Sequence, residues 1–111
     1  MKTRFAAERL IDAPAEVIYH CLADYRHHHR PGEFLLAAFR DQEVDHGGIG
    51  AGTELSYVVA AGGRRRPVTA IVTEPEPGRT LVETGSGFET TSTVEPADGG
   101  TRVRFETAID E

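Results

Sequence analysis

The apolar residues change period at Asp12–Pro14, and this change constrains the fold more than any other feature of the chain. Upstream, Thr3 to Ile11 alternates, with Phe5, Ala7, Arg9 and Ile11 on one side and Arg4, Ala6, Glu8 and Leu10 on the other, as a strand does. Downstream, Pro14, Val17, Ile18, Cys21, Leu22 and Tyr25 recur at the spacing of one helical face. Pro14 suits a first helical position, where a missing N–H costs nothing and φ already fits. The spacing therefore predicts a helix from Pro14 to about Ala23, with Asp12 or Ala13 as its cap and Asp12 the better acceptor. Glu16 then sits near the positive end of the helix dipole. Such a helix buries one side only, so something must cover it.

The rest of the chain supplies strands. Phe39–His46, Thr53–Ala60, Arg64–Glu74, Arg79–Thr84, Phe88–Glu95 and Thr101–Ile109 read as strands two to seven. Ala61-Gly62-Gly63 and Asp98-Gly99-Gly100 are hairpin turns, and Pro75-Glu76-Pro77-Gly78 stops strand four. Glu33 to Phe39 fits either a second short helix or the lead into a strand. Successive hairpins make an antiparallel meander, and a strongly twisted sheet of this size curls. The fold class is α+β: a curved seven-stranded antiparallel sheet, with a helix inserted after strand one for its hollow side to grip. No repeat or linker divides the chain, so residues 1–111 form a single domain.

Composition narrows the partners. Eighteen acidic against twelve basic residues give a net charge of −6, which argues against a nucleic-acid backbone as partner. Cys21 is the only cysteine, so an intrachain disulfide is impossible, and it reads as a small core residue. No apolar run reaches the length of an integral membrane segment, and no signal peptide is recognisable, which makes the cytoplasm the default location.

Chemical motifs are sparse. Three histidines, His27-His28-His29, invite a metal, but adjacent residues point in different directions. They read as a solvated helix end, and no metal or cofactor is expected. Gly48-x-Gly50-x-Gly52 has the wrong spacing for a phosphate loop and precedes a strand, so it reads as a turn that lets the sheet bend. Arg64-Arg65-Arg66 reads as a charged hairpin tip. There is no GxSxG, HExxH or CxxC. Glu54, Glu83, Glu89 and Glu106 alternate with apolar residues and are expected at solvent, while Arg9 is the one charge expected to point inward.

Four segments, in order, resemble the START-like superfamily, also called the Bet v 1-like or polyketide cyclase and lipid-transport group. They are Ile11-Asp12-Ala13-Pro14-Ala15-Glu16-Val17 with Leu22-Ala23-Asp24, then Gly50-Ala51-Gly52-Thr53, then Val72-Thr73-Glu74-Pro75-Glu76-Pro77-Gly78-Arg79, and last Val94-Glu95-Pro96 leading through Gly99-Gly100-Thr101-Arg102-Val103. The resemblance implies a helix-grip fold in which the sheet holds a long C-terminal helix, with an apolar cavity between them. It implies binding of lipids, polyketides, hormones or aromatic rings, with cyclisation or dehydration in a few members.

The sequence departs from that pattern at Glu111, directly after strand seven, where the long helix would begin: it is a C-terminally truncated fragment, or the helix is absent, or a partner supplies its equivalent. Leu55, Tyr57, Val59, Val68, Phe88, Val103 and Phe105 would then be left as exposed apolar area on the hollow face. The expected ligand-binding residues are Tyr25, Phe34, Phe39, Tyr57, Phe88, Thr91 and Phe105, with the hydroxyls orienting a small hydrophobic ligand. The open concave face is also a candidate homodimer interface. Two other readings are a polyketide cyclase or dehydratase and a partner-binding stress-response or toxin-like module. A cavity carboxylate or histidine touching a Tyr or Thr hydroxyl favours the enzyme; a purely apolar pocket favours the carrier.

Overall fold

The computed structural model describes residues 2–25, 39–61 and 63–110. In chain order these form β1 (Lys2–Ile11), α1 (Ala15–Ala23), β2 (Phe39–His46), β3 (Glu54–Ala61), β4 (Arg64–Glu76), β5 (Thr80–Gly85), β6 (Phe88–Ala97) and β7 (Gly100–Asp110). All seven strands join one curved antiparallel sheet in the order β1-β7-β6-β5-β4-β3-β2. Short connections make β2 to β7 neighbours in sequence order. The helix and its connection separate β1 from β2, so β1 pairs with β7 instead, Lys2 opposite Asp110 and Ile11 opposite Thr101.

Two local expectations are corrected. Pro75 does not stop β4, which runs to Glu76 with a register shift between Thr73 and Glu76. A proline is tolerated at such a bulge because no ladder N–H is needed there. Pro14 is the N-cap of α1 rather than its first residue, with ψ of 146° and no side-chain cap. Its carbonyl accepts the first helical bonds, from the N–H of Val17 at 3.1 Å and of Ile18 at 3.2 Å.

The buried face of α1 is also turned from the expected one. Ile18, Tyr19, Leu22 and Ala23 are buried, whereas Val17 is 51% exposed and Cys21 is half-buried. The turn follows from Tyr19, whose ring fills space against the sheet while its hydroxyl reaches Glu74. Buried tyrosines need such a partner.

The Gly48–Gly52 run fastens the helix to the sheet. Tyr25 N–H donates to Gly48 O at 2.8 Å, and Gly50 N–H to Ala23 O at 2.9 Å, which satisfies a carbonyl at the helix end. Gly52 N–H then donates to Val72 O in β4, and Val72 N–H to Thr53 O, at 2.9 Å each. Gly50 adopts φ of 63°, and a Cβ there would stand 2.3 Å from Glu74 Oε1. The positive φ is what calls for glycine, since the Glu74 carboxylate is the end of a flexible side chain.

The core lies between α1 and the hollow side of the sheet. Leu55, Val72, Leu81, Val94 and Val103 are almost wholly buried, with Ile18, Leu22 and Tyr25 from the helix side, so Leu55, Val68, Phe88 and Val103 are covered core rather than the exposed apolar area expected of them. The outer side carries charge instead. Glu8 pairs with Arg102 at 3.2 Å, and Glu106 with Arg104 at 3.0 Å and Arg4 at 3.5 Å.

Candidate functional site

Strand register builds the hollow face row by row, because directly paired residues point to the same side. One row runs Leu55, Ala70, Gly85, Phe88 and Ile109 across β3 to β7. The next runs Val72, Glu83, Thr90, Thr107 and Phe5. A third holds Leu81, Ser92, Phe105 and Ala7, and a fourth Val94, Val103 and Arg9. The result is an apolar trough with a few polar groups set into it. Phe5, at its β1 rim, is 39% exposed.

Glycine gives the trough its depth at one point. A Cβ on Gly85 would lie 2.3 Å from Phe88 Cε1 and 2.6 Å from Thr69 O, so the Phe88 ring lies across bare backbone. Phe88 is itself buried.

The polar group of most interest is Glu83. It was expected at solvent, but β5 buries Leu81 and Glu83 together and turns Val82 and Thr84 away, leaving Glu83 only 9% exposed. Tyr25, buried at the end of α1, donates its hydroxyl to Glu83 Oε2 at 3.0 Å. The glycine run holds that tyrosine by its backbone, so the donor is aimed by two fixed elements. Close by in the same row, the Thr90 and Thr107 hydroxyls lie 3.0 Å apart. Burying a carboxyl with a phenol donor is favourable only because the hydrogen bond offsets lost hydration.

The expected ligand residues divide. Tyr25 and Phe88 meet the trough, and Phe105 packs against its core, half-buried. Thr91 does not: it pairs with Val82 and Glu106 in the outer row, one residue out of phase with Ser92. Tyr57 stands opposite Val68 and Phe39 opposite Val59 in the ladder, and their side chains lie outside the described residues, as does Phe34. The three histidines His27 to His29 also fall outside them. Among the described residues no group of three or more His, Cys, Asp or Glu could hold a metal ion. Arg9 takes its trough-side place opposite Val103 but is exposed at the rim. Glu83, Ser92, Thr90 and Thr107 were missed. The signal for Glu83 was the choice of Leu81 rather than Val82 as the inward residue.

A second hollow, of about 450 Å³, lies on the other flank of α1, between the helix and the turn at Gly78 and Arg79. Its walls set the polar side chains of Glu16, His20, Glu74 and Arg79 among apolar ones such as Ile49 and Val94. Tyr19 donates to Glu74 Oε2 there at 2.6 Å, while Glu74 Oε1 accepts from Ala51 N–H at 2.7 Å. Burial first, then the Glu74 hydrogen bond and charge, hold the Tyr19 phenol well above its ordinary range. Tyr19 was likewise missed by the sequence pattern.

Solved structures share this architecture. The KanY protein, solved in solution by NMR, superposes with a TM-score of 0.83 at 24% identity, covering 100% of this chain and 76% of that one. Ara h 8.0201 gives a TM-score of 0.64 at 18% identity, with 99% and 78% covered. TTHA0849 from Thermus thermophilus gives 0.64 at 25% identity, with 97% and 74% covered. No curated protein matches the sequence. Among the described residues no helix is long and apolar enough to cross a membrane. The model of one sequence family matches residues 2–111, the whole span of the sheet and its helix. The chain therefore belongs to the family of polyketide cyclases, dehydrases and lipid-transport proteins.

Proposed function

We propose that this protein binds a small hydrophobic molecule, a lipid, polyketide or aromatic compound, in the trough between the sheet and α1. The buried contact between Tyr25 and Glu83 carries the reading. A ligand with a greasy body gains by leaving water against the apolar residues of the hollow face that stay partly exposed, Phe5, Phe105 and Ile109. A hydroxyl or carbonyl on that ligand would then find Tyr25 and Glu83 as a fixed donor and acceptor. The family description, which joins cyclases, dehydrases and lipid transport, supports the same class of guest.

The same contact favours a second reading, a cyclase or dehydratase. Those reactions need one group to take a proton from carbon and another to give one to oxygen. A carboxyl in hydrogen-bond contact with a phenol supplies both kinds of group in one place.

Native mass spectrometry of the protein purified without added ligand tests the binding reading. The expected spectrum shows a copurified apolar molecule, or stoichiometric uptake of a fatty acid or a hydroxynaphthalene offered afterwards. Bare protein in all three spectra would sink it. For the enzyme reading, Glu83→Gln should abolish conversion of a bound poly-β-ketone analogue without releasing it. Unchanged conversion would leave only the carrier.

A further inference from the structure

We infer that two copies of this chain join edge to edge through β1, antiparallel about a two-fold axis with Ala6 opposite its own copy. Among the described residues β1 pairs only with β7, and its other edge is bare. Every residue from Thr3 to Leu10 is exposed, on both sides of the sheet. A long uncovered edge strand is a template for another strand, and natural proteins blunt such edges with charge. Here the charges do not repel a second copy. They complement it.

The two-fold axis fixes which registers are possible. Both hollow faces stay on one side only if the strand pairs in whole two-residue steps, since a one-residue slip turns every side chain over. The registers that keep most of the strand paired are centred on Phe5, Ala6 or Ala7. Centring on Ala7 sets Arg9 against Phe5 and Glu8 against Ala6, with no ion pair. Centring on Phe5 opposes two phenylalanines, sets Lys2 at the strand end against Glu8, and leaves Arg9 and Leu10 beyond the copy's strand, so fewer residues pair. Centring on Ala6 engages Lys2 through Leu10 in full and places Arg4 opposite Glu8 of the second copy, twice.

Those two pairs join charges already in place. Arg4 contacts Glu106 at 3.5 Å and Glu8 contacts Arg102 at 3.2 Å on the outer side. The junction therefore strings Glu106, Arg4, the copy's Glu8 and the copy's Arg102 into a chain of alternating sign. Networks of this kind contribute where isolated exposed pairs do not. On the inner side Phe5 meets Ala7 of the copy, which covers the exposed ring at the rim and runs the two troughs together. The trough itself stays open to ligand, unlike in a dimer closed face to face.

Sedimentation velocity on the full chain at micromolar concentration tests this. The expected species has twice the chain mass. Arg4→Glu or Glu8→Arg alone should weaken the dimer by about tenfold or more, since each turns two attractions into repulsions. The double variant Arg4→Glu/Glu8→Arg should recover most of that loss. Ala6→Cys in a Cys21→Ser background should form a disulfide-linked dimer on mild oxidation, whereas Cys21→Ser alone should not. A monomer at these concentrations overturns the inference. So does a dimer indifferent to the two single reversals, which would place the junction on the concave face, and so does failure of the double variant to recover. Circular dichroism identifies any variant that has merely unfolded, and the cysteine cross-link then decides.

Discussion

Gly85 lies beneath Phe88, close enough that a methyl group there would stand 2.3 Å from the ring and 2.6 Å from the Thr69 carbonyl. The ring can swing, but the Thr69 oxygen is backbone and cannot. Gly85→Ala is therefore expected to destabilise the fold by about 1–3 kcal/mol, the usual cost of overpacking a filled site. Chemical denaturation measures this. A change within experimental error would mean that the trough floor has slack at this point, and the depth argued for it would fail.

The contact between Tyr25 and Glu83 makes a sharper prediction. Removing the hydroxyl by Tyr25→Phe leaves a carboxyl buried with one donor fewer, at a cost of about 1–3 kcal/mol. Glu83→Leu removes the group that needed the donor. The double variant should be less damaged than the sum of the singles, with a coupling of about 0.5–3 kcal/mol, because the two groups share one interaction. Strict additivity would show that the hydrogen bond contributes nothing.

Tyr19 gives the protein an alkaline limit. Its folded-state phenol ionises above the ordinary value of 10.0 because burial and Glu74 penalise the anion. The neutral phenol is thus favoured by the fold. The stability it supports is complete below the unfolded pKa of about 10 and declines as pH rises from there toward the folded value. Tyr19→Phe has no proton to lose, so the difference in stability between wild type and variant should be flat up to about pH 9 and shrink by pH 11. Urea melts at both pH values decide it; a constant difference would mean that burial and Glu74 do not hold the phenol neutral.

Much of this was readable in the residues, and the failures share a cause. The strand ends agree to within two residues because glycine and proline punctuate the chain, as at Gly62-Gly63 and Asp98-Gly99. Face assignments failed where neighbouring residues have equal polarity. Leu81-Val82 offers two apolar choices, and taking the wrong one puts Glu83 at solvent. Thr90-Thr91-Ser92-Thr93 offers four small hydroxyls with no alternation, so nothing local separates inward Ser92 from outward Thr91. The helix face turned for a similar reason. Val17 and Tyr19 both suit burial, and only Glu74, 55 residues away, decides between them.

Thr91 supplies the control for the binding reading, because it lies on the sheet opposite the trough between Val82 and Glu106. Phe88 lies in the hollow row beside Leu55 and Ala70, with its ring over Gly85. Phe88→Ala should therefore weaken uptake of an apolar probe by about tenfold or more, while costing about 3–5 kcal/mol of stability. That cost threatens the fold, so Phe88→Leu, which keeps most of the volume, is the better variant for a titration. Its loss of affinity should be smaller but clear, and Thr91→Ala should leave affinity unchanged. The order matters more than the size. If Thr91→Ala weakened binding while Phe88→Leu did not, the ligand would sit on the outer face among charges, and the trough would be only a core.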